Sequence, residues 1–179
     1  MSWIQQIDFM ILEWIQSHLQ GAALDLLMPT ITALGNGGWL FILLALVLLL
    51  SKRYRRQGCA LAVSLLLCLL VGNLFLKPLF ARLRPFEVAG LSELLISPPT
   101  DYSFPSGHTG VAFAFASGVS PLGKKAHTMA LIFACIMGFS RLYLRVHYPT
   151  DVLAGALVGT LSGLLSLFFW KKRLKGDII

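Results

Sequence analysis

A chain of 179 residues is of single-domain length, and at 56% hydrophobic and 13% charged it is far too apolar for a soluble domain of that size. The net charge of +7 invites a nucleic-acid partner, but its distribution argues against one. Ten of the 15 basic residues fall in three short stretches between apolar segments: Lys52, Arg53, Arg55 and Arg56; Lys124 and Lys125; and Lys171, Lys172, Arg173 and Lys175. That is how cytoplasmic loops of a membrane protein are charged. Cys59, Cys68 and Cys135 lie inside apolar segments, with no zinc-type spacing, and read as small buried hydrophobes.

Residues 3 to 19 carry an amphipathic helical pattern. Trp3, Ile4, Ile7, Met10, Ile11, Trp14 and Ile15 share a face, and Gln5, Gln6, Asp8, Glu13, Gln16 and Ser17 lie elsewhere. A signal peptide would need a basic start and an unbroken apolar core, so an interfacial helix is expected, with a poor first span as the alternative. Residues 24 to 34 are apolar but contain Pro29, which is expected to kink a helix. Gly35-Asn36-Gly37-Gly38 then breaks the chain. Residues 39 to 50 are apolar but too few to cross a bilayer unaided, so this span is expected to borrow residues from its neighbours or to tilt. Spans follow at 58 to 76, 106 to 120, 126 to 143 and 150 to 170, with a Pro-rich loop over 78 to 104. The expectation is an all-α, polytopic transmembrane helical bundle of five to six spans with an N-terminal amphipathic helix, forming one domain over 1–179. The alternation puts the C-terminus in the cytoplasm. Lys77, Arg84, His108, Arg141, His147 and Asp151 then share one level on the outer, or periplasmic, face of the cell membrane.

Five basic residues depart from the loop distribution: Lys77, Arg82, Arg84, Arg141 and Arg145. Charges at membrane depth are costly, so they point to function. Snorkelling to headgroups fits Arg82 and Arg145. Lys77, Arg84 and Arg141 instead accompany histidines at fixed spacings. Pro105-Ser106-Gly107-His108 reads as a helix start, with Ser103 and Ser106 available to cap. Such a start offers free N–H groups and a positive dipole end to an anion, and Gly107 lets a ligand approach the backbone. Pro149 suits the first turn of another helix, and Asp151, four residues after His147, can reach back to its imidazole. Phosphoryl transfer asks mainly for positioning and for charge stabilisation of the equatorial oxygens. Two arginines and a lysine supply that. Of Glu87, Glu93, Asp101 and Asp151 only Asp151 belongs to these stretches, too few oxygens for a hard metal, so chemistry with no metal and no cofactor is expected. The residues alone leave open which histidine is the nucleophile.

These stretches read K-x6-RP (Lys77, Arg84, Pro85), PSGH (Pro105 to His108) and SR-x5-H-x3-D (Ser140, Arg141, His147, Asp151), within residues 77–85, 105–108 and 140–151. The set resembles the tripartite signature of the type 2 phosphatidic acid phosphatase (PAP2) superfamily, position by position. The resemblance implies a helical bundle shared with vanadium haloperoxidases, and dephosphorylation of a lipid phosphate or diphosphate. It implies that His147 attacks phosphorus, that Asp151 orients it, and that His108 protonates the leaving oxygen. Lys77, Arg84, Ser106, Gly107 and Arg141 would hold the phosphoryl oxygens. The short chain, amphipathic start and outer-facing site look most like bacterial members acting on undecaprenyl diphosphate, with phosphatidylglycerol phosphate and phosphatidate as alternatives. A haloperoxidase would share the site but is a larger, soluble protein. A lipid-phosphate binding or transport protein would need the cations but not an intact His147–Asp151 pair beside His108. Oligomeric state is left open: Gly155, Gly159 and Gly163 form a small-residue stripe that suits either a neighbouring chain or packing within this one.

Overall fold

The computed structural model describes residues 3–176, with side chains as far as Trp170, and no strand occurs among the described residues. The chain starts with α1 (Trp3–Leu19) and α2 (Ala22–Leu34), then a 3₁₀ turn over Asn36–Gly38 and α3 (Trp39–Leu50). A long segment follows: α4 (Arg55–Cys68) runs through a π-helical stretch (Leu69–Leu76) into the single turn α5 (Lys77–Phe80). After α6 (Pro85–Val88) and a loop come α7 (Gly107–Gly118), α8 (Lys124–Tyr143) and α9 (Pro149–Gly176). The basic residues Lys171, Lys172, Arg173 and Lys175 belong to the last turns of α9, and their side chains lie outside the described ones.

Three segments are long and apolar enough to cross a membrane: Arg55–Val88, Lys124–Tyr143 and Pro149–Trp170. Ala22–Leu34 and Asn36–Leu50, bent by 43° against each other, make a fourth if taken as one broken span. This is a multi-pass membrane protein. The bend falls at the glycines, where Gly37 and Gly38 take positive φ (57° and 71°), and α2 runs on through Pro29 to Leu34. Taken as one broken span, α2 and chain 39–50 together reach the length that 39–50 lacks alone. α7 is twelve residues, and it is enclosed by other helices: Thr109, Gly110, Ala112, Ala114, Ala116 and Ser117 are all buried.

Small side chains let the neighbours of α7 come close. A methyl built on Gly155 would stand 2.5 Å from the carbonyl oxygen of Ser106, and one on Gly163 3.1 Å from that of Ala114. The glycine stripe of α9 is therefore spent on α7 within the chain, where close backbone approach replaces bulky packing. Outward faces carry large apolar residues such as Leu46, Leu66, Ile132, Leu157 and Leu165, which suit lipid contact. α1 follows the same division. Trp3, Met10 and Trp14 are exposed, while Asp8, Leu12 and Ile15 are buried against the bundle. An exposed face this apolar fits the membrane interface.

Candidate active site

Three parts of the chain meet around a cavity of about 570 Å³. The first comes off the π-helical stretch, whose wider turn leaves the amide of Lys77 bonded to the carbonyl of Gly72, five residues back. Turns of this kind often occur at functional positions. Ala81, at φ 43°, ends the helix, and Arg84, extended at φ −78° and ψ 156°, precedes Pro85 at the start of α6. The Glu87 carboxylate accepts the Arg84 amide at 2.6 Å and fixes this entry.

The second part is the start of α7. Ser106 is its cap: the hydroxyl lies 3.5 Å from the Thr109 amide it accepts. The first amides of a helix, here those of Gly107 and His108, have no acceptor inside it. Both residues line the cavity. Asn73, from the π-helical stretch, presses on Gly107, where an added methyl would lie 3.1 Å from its Oδ1. The His108 ring rests on the glycine turn before α3, with Nε2 2.9 Å from Oδ1 of Asn36.

The third part is the end of α8 and the turn into α9. Arg141 is buried and donates through Nη1 to Thr32 Oγ1, while its Nε is buried without a partner. Arg145, at φ 55°, turns the chain so that His147 comes back under the cavity. His147 is fully enclosed. Its Nδ1 lies 3.5 Å from Asp151 Oδ2 and its Nε2 3.3 Å from Arg84 Nη1. Asp151 is itself held from three sides. Oδ2 accepts from Ser103 Oγ and from the Tyr148 amide (2.9 Å), and Oδ1 accepts from Arg82 Nη1 (2.6 Å). Burial, and then the cations Arg84, Arg141 and Lys77, hold the His147 imidazole well below its usual 6.5. The ring is therefore neutral at ordinary pH, the form in which one nitrogen keeps a free lone pair.

Lys77, Arg84, Gly107, His108, Arg141 and His147 all line the cavity. Ser106 and Asp151 stand behind that lining, the first as a helix cap and the second as the partner of His147. Several residues here were missed by sequence reasoning. Asp101, on the loop before α7, pairs with Lys77 and, at 2.6 Å, with Arg84 Nη2. Burial raises its carboxyl, and Lys77 and Arg84 more than reverse this, holding it at about 2. Arg82 corrects an expectation. It does not snorkel: its guanidinium lies 3.8 Å over the Tyr148 ring and pairs at 2.6 Å with both Asp8 and Asp151. Two buried carboxylates and an aromatic face outcompete headgroups for this cation. Asp8, from α1, also accepts the Thr150 hydroxyl at 2.6 Å and the Thr150 amide at 3.0 Å. The N-terminal helix is thereby tied to the start of α9. An acidic residue in an apolar amphipathic run was the only available signal for Asp8. Asp101 carried none, since no spacing links it to Lys77 or Arg84. Among the described residues no group of three or more His, Cys, Asp or Glu side chains is gathered around a metal-sized site.

The model of the PAP2 superfamily matches residues 57–175. The undecaprenyl-diphosphatase of Sulfolobus acidocaldarius is 35% identical over 155 residues, which cover 84% of this chain and 73% of that protein. The lipid A 4'-phosphatase of Bacteroides thetaiotaomicron is 34% identical over 115 residues, 59% of this chain and 51% of that one. Among solved structures, the transmembrane PAP2-type phosphatidylglycerolphosphate phosphatase of Bacillus subtilis superposes with a TM-score of 0.78 at 26% identity. That match covers 96% of this chain and 88% of the other.

Proposed function

The chain belongs to the PAP2 superfamily and is a membrane lipid phosphatase; from that premise we propose that it hydrolyses undecaprenyl diphosphate to undecaprenyl phosphate, without a metal, at the outer face of the cell membrane. Residues 1–179 work as one unit in this reading, since Asp8 at one end of the sequence is tied through Arg82 to Asp151 near the other. The observation that carries the chemistry is the orientation of His147. Its Nδ1 faces a thrice-held carboxylate, its Nε2 lies beside Arg84, and the residue lines the cavity. Asp151 keeps the proton on Nδ1 and leaves the Nε2 lone pair for attack. The N–P bond forms as the bond from phosphorus to the leaving lipid-phosphate oxygen breaks. His108, across the cavity, takes up a proton as the anionic phosphoryl group enters beside it and passes that proton to the leaving oxygen. Water then gives a proton back to His108 and attacks the phosphohistidine; the N–P bond breaks, releasing inorganic phosphate and restoring both histidines. Lys77, Arg84, Arg141 and the amides at the start of α7 offset the charge that spreads over the phosphoryl oxygens. A 3.5 Å contact between His147 and Asp151 is loose, as catalytic hydrogen bonds often are before substrate binds.

The choice of lipid rests on the relative named for undecaprenyl diphosphate, which aligns along most of this chain. The basic clusters at 52–56 and 124–125 support the outward-facing site and a cytoplasmic C-terminus. The lipid A and phosphatidylglycerolphosphate phosphatases support a second reading, in which the same site acts on a monoester. The test is phosphate release by the detergent-purified protein in excess EDTA. Undecaprenyl diphosphate, phosphatidylglycerol phosphate, lipid A and phosphatidate would be compared side by side. Preferred release from the prenyl diphosphate, undiminished by EDTA, is expected. Preference for a monoester would replace the substrate, and loss in EDTA restored by added metal would overturn the metal-free reaction.

A further inference from the structure

The cations of the cavity are unequally free. Lys77 and Arg84 both pair with Asp101, one carboxylate shared between two cations. The remaining donors of Arg84 are largely spent on backbone: Nε bonds to the Asp101 carbonyl at 2.7 Å and Nη1 to that of Val146 at 2.6 Å. Only Arg141 keeps a buried donor, Nε, without a partner. A phosphoryl group entering this cavity therefore meets one open cation and two that face a carboxylate. The three partners also differ in how firmly they are held. The side chain of Asp101 is 55% exposed, against 8% for Lys77 and 2% for Arg84. Its backbone is pinned by Arg84 Nε, so the carboxylate can turn towards water about its own side-chain bonds while the loop stays in place. The buried cations cannot follow it.

We infer that the Asp101 carboxylate is an exchangeable counter-ion of the phosphate subsite: it swings out to water when a substrate phosphoryl group takes Lys77 and Arg84, and returns to displace the inorganic phosphate product. The inference rests on the phosphate-site reading above. It makes Asp101 a residue that sets specificity. Free phosphate must compete with a tethered anion using its charge alone, whereas a lipid adds the binding of its chain. An internal carboxylate thereby keeps the site from filling with its own product. Charge neutralisation without it would leave a concentrated cationic cluster that any small oxyanion could occupy.

Two measurements test this. Inhibition of lipid hydrolysis by inorganic phosphate would be compared between the wild type and Asp101→Asn, which keeps the shape and removes the charge. Losing a competing charge at a half-exposed position is expected to lower the inhibitory phosphate concentration about tenfold. An inhibition constant that is unchanged or raised in the variant overturns the proposal. The second measurement needs no variant, and so survives a misfolded Asp101→Asn. The wild-type protein would be labelled with a carbodiimide and an amine, with and without tungstate as a tetrahedral oxyanion, and Asp101 modification read by mass spectrometry. Greater labelling of Asp101 with tungstate is expected; equal or lower labelling overturns the exchange. If tungstate and phosphate leave wild-type hydrolysis untouched and protect neither Lys77 nor His147 from chemical modification, the phosphate-site reading fails and this inference falls with it. Oxyanion inhibition with no release of Asp101 would overturn the inference alone.

Discussion

His147 is buried in the cavity wall, with Nδ1 against Asp151 and Nε2 beside Arg84, and its carboxylate partner is gripped in turn by Ser103, Tyr148 and Arg82. His108 is half-buried at the rim of the same cavity, and its ring nitrogen bonds to Asn36 in a glycine-rich turn. The contrast matches what each group would do in the proposed reaction. A nucleophile must meet phosphorus along one line, and misplacing it by about 1 Å can cost about a hundredfold in rate. A proton donor has only to reach an oxygen whose position shifts with the leaving group. Rigid support is concentrated on the first, and it extends outward to α1 through Arg82 and Asp8.

The comparison breaks most sharply at His147 itself. His147→Ala removes the nitrogen proposed to attack phosphorus and is expected to abolish turnover, a loss of at least about a thousandfold. Phosphate release by the purified variant checks it, and full activity there would reassign the nucleophile. One layer out, Asp8→Asn keeps the shape of the side chain but removes the charge that shares Arg82 with Asp151. Turnover is expected to fall about tenfold with KM little changed, because a loosened Asp151 affects attack rather than lipid binding. Asp8→Glu should recover part of it, which a merely unfolded α1 would not allow. Activity and thermal midpoint measured together separate these outcomes.

On the other side of the cavity the expected effects are smaller. Asn36→Ala frees the His108 ring and should slow hydrolysis only a few fold, most for the poorest leaving group, since proton donation is the step at stake. A drop as large as that of Asp8→Asn would show that both histidines need equal restraint. The smallest effect concerns pH. Burial and three neighbouring cations push His147 below its usual value, so it takes up a proton only well under pH 6.5 and stays neutral above. A ¹⁵N-histidine titration of the substrate-free protein should show no protonation of His147 between pH 8 and 6.5. A midpoint at or above 6.5 would mean that the cations are screened from it.

Much of this site was legible because its parts are contiguous in sequence. Lys77 opens a single helical turn and Arg84 follows shortly after it, His108 lies at a helix start, and His147 and Asp151 are four residues apart. Spacing and residue type suffice where chemistry needs groups on one local element. The supporting residues were not legible for the opposite reason. Arg82 reaches Asp8 across 74 positions, and Asn36 reaches His108 across 72. No local pattern marks such partners. Composition even misled at Arg82, because a lone arginine near the interface ordinarily runs to headgroups. The fold shows the same division. Helical segments followed from apolar runs, but the shortness of α7 did not, because it is packed among other helices and need not match the bilayer.

One close approach between α7 and α9 has a mechanical consequence. His108 rides on the first turn of α7 and His147 stands two residues before α9. Those two helices touch where Gly155 faces the carbonyl of Ser106, with no room for a methyl group. The gap between His108 and His147 is thus set in part by the hydrogen atom at position 155. A single added carbon would act as a shim and open the jaws of the site without altering any residue that faces the substrate.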